Sequence, residues 1–302
     1  MKQKTLTRDI GLFALICIAY TWPILFAVDV WLKPMLKPAN IAAASLVSLG
    51  GHMLAMLGPA ISALCMWRFV HKERLPACNW SRMSDYSLAS LAGLLFWALP
   101  GGIGLLFGDK FETPIPAYMW IGIAMMLFLG WFSGLGEEIG WCGYLMTRPV
   151  EQIGRTRAII VSGILRGVWH WPILFSPHLV KALAGEESLL ELILVGVVIL
   201  IPLVFSNMLM GAFFGWIWFR TQSLPLVGWM HLWYDFPRDA TITLLVGYGK
   251  GVWVSYLALP IFYMICFVLF GKILREEGLT WQSLLHSIIK PQSPGNSPAS
   301  LE

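Results

Sequence analysis

The sequence predicts an all-α fold, a polytopic transmembrane helical bundle of about eight spans. Three observations predict this class: 57% of the 302 residues are hydrophobic, only 13% are charged, and long apolar stretches recur along the chain. Soluble domains are about 25% charged, and a helix that crosses a bilayer needs about 20 mainly apolar residues. The net charge of +4 is small, and no basic stripe alternates with aromatic residues, which excludes a nucleic-acid partner.

The apolar stretches set the order of the elements. We predict spans at residues 9–31, 41–70, 86–107, 117–144, 157–176, 189–219, 223–247 and 252–274. They form one transmembrane helical domain over 1–288, and the motifs and family resemblance described below imply its catalytic core at about 117–247. The Pro-, Ser- and Gly-rich stretch 289–302 is predicted to be disordered. Pro202 predicts a kink or strong tilt in the sixth span. The first span is long and lacks a cleavage site, so we expect it to be retained.

Lysine and arginine residues are distributed unequally between alternate loops. The loops on the side of the N-terminus hold fourteen of them, and the opposite loops hold six. The positive-inside rule then places both termini in the cytoplasm, which agrees with an even number of spans. We expect a multi-pass protein of the plasma or inner membrane. The five cysteines form no CxxC pair, so neither a disulfide framework nor a thiolate zinc site is indicated.

A few ionisable residues fall inside the predicted spans. A charged side chain near the bilayer centre costs about 3 kcal/mol on insertion scales. Each ionisable residue in a span is therefore a candidate for a functional site. These residues are Asp29, His52, Glu137, Glu138, Arg166, His170, His231 and Asp235. Any one of them alone is about as often a helix–helix contact as a functional group. We expect His52 to be structural and Asp29, near the membrane surface, to be solvated.

Spacing adds information about the fourth, fifth and seventh spans. Arg166 and His170 are four residues apart, as are His231 and Asp235, so each pair shares one face of its helix. The two glutamates of the fourth span are adjacent and diverge by about 100°, so only one of them faces the bundle centre. Three helices therefore offer carboxylates or imidazoles at comparable depth, which is the arrangement that an intramembrane active site needs.

Three sequence motifs lie in these spans. The first is Glu137-Glu138 followed by Gly140-Trp141 and Gly143, the second is Trp169-His170-Trp171-Pro172, and the third runs from Gly215-Trp216 through Ser223-Leu224 to His231 and Asp235. In type, order and spacing they resemble the family of CAAX proteases and bacteriocin-processing enzymes, also called the Abi or CPBP family. The resemblance covers about residues 117–240.

The resemblance implies an intramembrane glutamic endopeptidase that is metal-independent and needs no cofactor. It implies Glu137 as the general base on a water molecule, helped by His170, with Glu138 fixing the site. Asp235 would orient His231, which would stabilise the oxyanion. The substrate would be a CAAX-type prenylated peptide or a membrane-associated leader or signalling peptide. The depth of the cluster predicts a site nearer the cytoplasmic leaflet and a substrate from that face.

The sequence departs from the family pattern at two positions. The family has an Arg four residues after the second Glu, where this chain has Cys142, and an aromatic residue four before the His, where it has Arg166. We hypothesise a swap, in which Arg166 pairs with the carboxylate that the missing Arg would have contacted.

Three alternatives remain open at the level of the sequence. Two His with one or two carboxylates could hold a zinc ion, although the spacing does not resemble HExxH. An inactive relative could act as a membrane scaffold or bacteriocin-immunity protein, which the two departures would favour. A proton-coupled transporter is disfavoured because no inverted repeat is visible. Besides a peptide or lipidated peptide, the expected partners are membrane lipids; the oligomeric state is not determined by the sequence.

Overall fold

The computed structural model describes residues 3–73, 78–111, 113–246 and 258–289. The chain in these ranges is helical apart from one short pair of strands. Its elements are α1 (Gln3–Phe26), a π-helical turn (Ala27–Leu32), α2 (Lys33–Leu36), α3 (Ile41–Ala55), α4 (Gly58–Cys65), a second π-helical turn (Met66–His71), α5 (Met83–Leu106), β1 (Lys110–Phe111), α6 (Ala117–Glu138), a third π-helical turn (Ile139–Leu145), α7 (Val150–Leu183), α8 (Leu189–Thr221), α9 (Leu224–Leu244), β2 (Leu245–Val246), α10 (Leu259–Glu276) and α11 (Trp281–Ile289).

The all-α prediction is confirmed, but the count of eight spans is not. Within the part of the chain that the structure describes, six helical runs are long and apolar enough to cross a membrane: Thr5–Leu36, Ile41–His71, Met83–Leu106, Ala117–Leu145, Val150–Leu183 and Leu189–Thr221. The helices α9 and α10 correspond to the last two predicted spans, and each carries three charged residues within about twenty. In each of these two helices the three charges fall within five residues, Asp235–Asp239 in α9 and Lys272–Glu276 in α10. The start of the eighth predicted span, 252–257, and the predicted tail beyond Ile289 lie outside the described residues.

Several boundaries also differ from the predictions. The fifth predicted span, 157–176, is part of a longer helical run because α7 begins at Val150 and ends at Leu183. A kink divides α7 at Gly154. The φ of this residue is 79°, a backbone conformation that glycine adopts easily and other residues rarely adopt. The carboxylate of Glu277 caps the second half of α7, accepting from the backbone N–H of Arg155 and from both the N–H and the hydroxyl of Thr156.

Contacts between helix ends arrange the chain between two faces. At the face where α1 begins, which we call the N-terminal face, Arg148 after α6 pairs with Glu73, and Arg220 at the end of α8 pairs with Glu276 at the end of α10. At the other face, here the opposite face, β1 after α5 pairs antiparallel with β2 after α9. The helices thus run alternately up and down, as membrane spans joined by short loops must.

Packing is closest between α7 and α8. A side chain at Gly163 would overlap the backbone of Met208, and one at Gly167 would overlap the backbone of Val204. Two glycines one turn apart let the helix backbones approach directly, the way small residues do in membrane helix pairs. This contact holds α7, which carries the second motif, in a fixed position.

Candidate functional site

The two adjacent glutamates end α6, and the helix widens into a π-helical turn directly after them. Both carboxylates are buried, with Glu137 1% and Glu138 0% exposed. Such π-helical turns often occur at functional sites because the extra residue rotates the side chains that follow. Here Trp141 and Cys142 still reach back to the two glutamates, each to the residue four positions before it.

Glu138 is held by partners from three segments. Its Oε1 accepts from a guanidinium nitrogen of Arg166 on α7 at 2.6 Å and lies 2.9 Å from Nδ1 of His231 on α9. Its Oε2 accepts from the Cys142 thiol at 3.0 Å. The Arg166 guanidinium also lies 5.6 Å from the ring centre of Trp141 and 5.3 Å from that of Phe214, close enough for cation–π attraction. Glu138 is therefore fully engaged, and its charge is balanced.

Glu137 has a different environment. Its Oε2 accepts from the indole N–H of Trp141 at 3.2 Å, whereas its buried Oε1 has no hydrogen-bond partner among the described residues. The nearest opposite charge to this oxygen is Nε2 of His231, at 3.8 Å. Of the four glutamate oxygens in the site, Glu137 Oε1 is the one that is not committed to a protein donor.

A chain of charged groups continues along α9 from His231. Its Nε2 lies 3.2 Å from Oδ2 of Asp235, whose Oδ1 is 2.9 Å from Arg238, and Arg238 also donates to Asp239 at 2.7 Å. Spacings of three and four residues place all four groups on one helix face. Since Glu138 engages the other ring nitrogen, His231 sits between two carboxylates, and both can be satisfied only if both ring nitrogens carry a proton.

His170 belongs to the same region but is not in hydrogen-bond contact with either glutamate. Its Nδ1 donates to the backbone carbonyl of Arg166 at 2.9 Å, one turn earlier on α7. In the neutral form of the ring, this bond makes Nε2 the acceptor nitrogen. The Trp169 ring packs against it at 4.5 Å and fixes its orientation, and the Trp169 N–H donates to Thr21 on α1.

The expectation that Asp29 is solvated was wrong. Asp29 is 9% exposed and therefore not solvated, because the π-helical turn after α1 directs it towards α3. There it lies 2.7 Å from Nε2 of His52 and accepts from Ser48 at 3.3 Å. The sequence pattern indicated no partner for His52, because Asp29 lies 23 positions earlier on a different helix.

A cavity of about 150 Å³ lies between α3, α6 and α9, and we call it the α9 cavity. Its polar wall is formed by His52, His231, Asp235 and Asp239, and apolar residues of α3 and α6 complete it. Neither glutamate lines this cavity; His231 connects it to Glu137 and Glu138. The structure therefore gathers Glu137, Glu138, Arg166, Cys142, His231 and Asp235 into one contact network, with His170 one turn behind Arg166.

Sequence reasoning missed two members of this network. Arg238 was not among the candidate residues, although its position three residues after Asp235 on the same helix face was a usable signal. Trp141 was named only as part of the first motif, and no sequence pattern indicates that its N–H donates to Glu137. Among the described residues, no group of three or more His, Cys, Asp or Glu has an arrangement that could hold a metal ion.

The helices and the buried acid–histidine network define a class: a multi-pass membrane protein with a polar site enclosed among its spans. Residues 119–237 match the family model described as Rce1-like, type II CAAX prenyl endopeptidase. The matched segment contains all three motifs, so the predicted resemblance to the CAAX protease family is confirmed. The match covers 119 of the 302 residues, and the family is described as one of prenyl endopeptidases. No match is found among curated proteins.

Proposed function

We propose that this protein is an intramembrane endopeptidase in which Glu137 activates a water molecule. The observation that carries the proposal is the contrast between the two glutamates. Glu138 is neutralised by Arg166 and His231, whereas Glu137 Oε1 is buried, uncommitted and 3.8 Å from the His231 ring. A general base needs a carboxylate oxygen that is free to take a proton from water.

In the proposed reaction, Glu137 removes a proton from water as the water oxygen attacks the carbonyl carbon of the substrate. The developing oxyanion accepts from the Nε2–H of His231, which shares this proton with Asp235 Oδ2 at 3.2 Å, while Glu138 holds the ring at Nδ1. As the carbon–nitrogen bond breaks, Glu137 returns the proton to the leaving amine. His170 supplies a neutral acceptor nitrogen beside the network and helps to position the water.

We propose that the hydrolysis needs no metal ion. Both ring nitrogens of His231 face carboxylates, and Glu138 is already bound by Arg166, so the atoms that would ligate zinc are engaged within the protein. Measuring cleavage before and after a metal chelator tests this point. Loss of activity on chelation, restored by zinc, would favour the zinc alternative.

The inactive-scaffold alternative rested on Cys142 and Arg166. Arg166 contacts Glu138 at 2.6 Å, so a positive charge reaches the carboxylate despite the cysteine. This contact supports the swap hypothesis and an intact site.

The direct test compares membrane peptides from cells that produce the wild-type protein or Glu137→Gln. We expect peptide processing to fall by about 100-fold or more, as removal of a general base does. Glu73→Gln is the matched control because it removes a glutamate far from the site. Folding of both variants is checked by their elution in detergent. Unchanged processing in a folded Glu137→Gln protein would contradict the proposed mechanism and favour the scaffold.

A further inference from the structure

The end of α10 at the N-terminal face gathers cationic side chains from three helices. Arg155 lies on α7, Arg220 in the last turn of α8 and Lys272 near the end of α10. The first two meet Glu276: Nη2 of Arg220 is 2.8 Å from its Oε1, and Nη1 of Arg155 is 3.9 Å from its Oε2. We call Arg155, Arg220 and Lys272 the basic cluster. Its three positive charges outnumber the two adjacent carboxylates, Glu276 and Glu277, of which the second caps α7.

The ring of Trp216 on α8 holds two of these cations close together. The guanidinium carbon of Arg220 lies 3.0 Å from the ring centre, and the ammonium of Lys272 lies 4.3 Å from it. Each cation is attracted by the electron-rich ring, although the two cations repel one another. A bound anion would remove this repulsion. Tryptophan is typical of the depth of lipid headgroups, so the cluster lies where a headgroup would.

Several donors of the basic cluster are free to bind an anion. The side chains of Arg155 and Arg220 are 45% and 38% exposed, and Lys272 is exposed as well. In the part of the chain that the structure describes, nothing accepts a hydrogen bond from the Lys272 ammonium or from the Arg155 guanidinium. An ammonium and a guanidinium carry several N–H donors each, and both suit phosphate oxygens. The chemistry that fits the cluster is therefore that of a phosphate group.

An exposed apolar stripe leads along α10 to this cluster. Its residues follow the three- and four-residue spacing of one helix face and are 38–61% exposed: Ile261, Met264, Ile265 and Val268. The same spacing continues to Lys272 and Arg275, which are also exposed. From Ile261 to Lys272 the helix rises by about 16 Å, close to the hydrocarbon thickness of one leaflet, about 15 Å. One face of α10 therefore matches the length and the polarity of a single phospholipid molecule.

We propose that the basic cluster and this stripe bind an anionic phospholipid, with the phosphate on the three cations and an acyl chain along α10. Soluble phosphate or an acidic peptide would satisfy the cations, but neither would cover the apolar residues that lead to them. The excess of Lys and Arg predicts that the N-terminal face is cytoplasmic, and the cytoplasmic leaflet carries anionic lipids.

The bound headgroup would connect α7, α8 and α10 at one point. Arg155 directly follows Gly154, where α7 kinks, and the second half of α7 carries Arg166 and His170. A ligand that binds only the folded bundle stabilises it according to the ratio of ligand concentration to Kd. We therefore expect the lipid to stabilise the protein whether or not hydrolysis takes place.

Lipid retention by the purified protein tests the site. Phosphatidylglycerol and phosphatidylcholine with the same acyl chains are added to the protein in detergent, bound lipid is counted by native mass spectrometry, and the melting temperature is recorded. We expect the wild type to retain about tenfold more phosphatidylglycerol than phosphatidylcholine, and to melt at a higher temperature with it. Equal retention and equal melting temperatures with the two lipids would overturn the proposal.

The triple variant Arg155→Gln/Arg220→Gln/Lys272→Gln removes the basic cluster. We expect its retention of phosphatidylglycerol over phosphatidylcholine to fall to about twofold or less, because the cations that select the anionic headgroup are gone. A variant that keeps the wild-type preference would show that the headgroup does not bind here.

The matched control is Arg68→Gln/Lys72→Gln/Arg82→Gln, which removes three exposed cations of the same face outside the cluster. It should keep the wild-type preference. An equal loss in this control would mean that the total charge of the face attracts the lipid, and that the cluster is not a site. Melting without added lipid shows whether both variants fold. If the cluster variant does not, Lys272→Gln, which breaks no described ion pair, replaces it and should lower the preference about threefold.

The apolar part of the site is tested with the same headgroup on shorter chains. Dihexanoyl phosphatidylglycerol cannot cover the stripe, so we expect it to be retained about tenfold less than the dipalmitoyl lipid. Inorganic phosphate and a Glu-rich peptide should not raise the melting temperature at the concentration at which the dipalmitoyl lipid does. If either stabilises the protein as much, the ligand is soluble phosphate or an acidic protein, and the lipid assignment is wrong. None of these measurements involves peptide cleavage, so they are independent of the Glu137→Gln processing test.

Discussion

Two arginine–glutamate pairs in this protein have nearly the same contact geometry in different surroundings. Arg166 meets Glu138 at 2.6 Å inside the bundle, where the two side chains are 1% and 0% exposed. Arg148 meets Glu73 at 2.5 and 3.0 Å at the N-terminal face, where they are 26% and 47% exposed. The comparison teaches that the contact distance does not measure how much a pair contributes to stability. Water can replace a lost partner in the exposed Arg148–Glu73 pair, but not in the buried Arg166–Glu138 pair.

Breaking the buried pair is expected to have the largest effect. Arg166→Leu would leave Glu138 with a charge balanced only by His231, and removal of one partner from a buried pair costs about 3–5 kcal/mol. We expect a large loss of folded protein in detergent, measured by thermal unfolding and by the yield of monodisperse protein. A variant as stable as the wild type would show that His231 alone balances Glu138.

Moving the arginine from position 166 to position 142, on the segment that carries Glu138, is expected to have the next largest effect. The double variant Cys142→Arg/Arg166→Leu moves the arginine to position 142, four residues after Glu138. The Cys142 thiol at this position already lies 3.0 Å from Oε2 of Glu138. Because the volume vacated by Arg166 becomes available, we expect most of the lost stability, and the peptide processing, to return. If the double variant recovers neither, the swap hypothesis fails.

The smallest effect is expected at the surface pair. Glu73→Gln should change the unfolding free energy by about 0–1 kcal/mol, as exposed ion pairs do. The hydrogen bond from Arg148 lowers the pKa of Glu73 below its usual 4.5. A lowered carboxyl pKa stabilises the fold above the usual value, and this contribution disappears as the pH falls below it.

The measurement is the melting temperature of the wild type and of Glu73→Gln at pH 7 and at a pH well below 4.5. The small difference at pH 7 should shrink in acid and also in high salt, which screens exposed charges. A difference that grows on acidification would mean that Glu73 has a role beyond this pair.

How far the sequence predicted the site differs from residue to residue. The family-like motifs and the cost of charge in hydrocarbon singled out both glutamates, Arg166, His231 and Asp235, and the structure places these five in one contact network. Their catalytic roles remain predictions. The hypothesis that Arg166 reaches a carboxylate followed from charge balance. In the structure Arg166 contacts the carboxylate of Glu138 at 2.6 Å.

Other features could not be derived from local patterns. Asp29 was expected to be solvated, but a π-helical turn buries it against His52. A π-helical turn inserts one extra residue into an apolar run, which leaves no clear trace in hydropathy. The number of apolar spans also depends on the site. The charged residues of α9 that belong to the contact network make this helix less apolar than the predicted span suggested.

The sequence by itself determined that the chain forms membrane-spanning helices and which of them carry ionisable groups, because hydrocarbon admits long apolar helices and makes every charge costly. Only the tertiary structure decided which glutamate is committed to arginine and which is free, and which helices enclose the α9 cavity. These depend on the rotation of each helix about its axis and on the packing of neighbouring helices. Both are set by contacts between residues far apart in the chain.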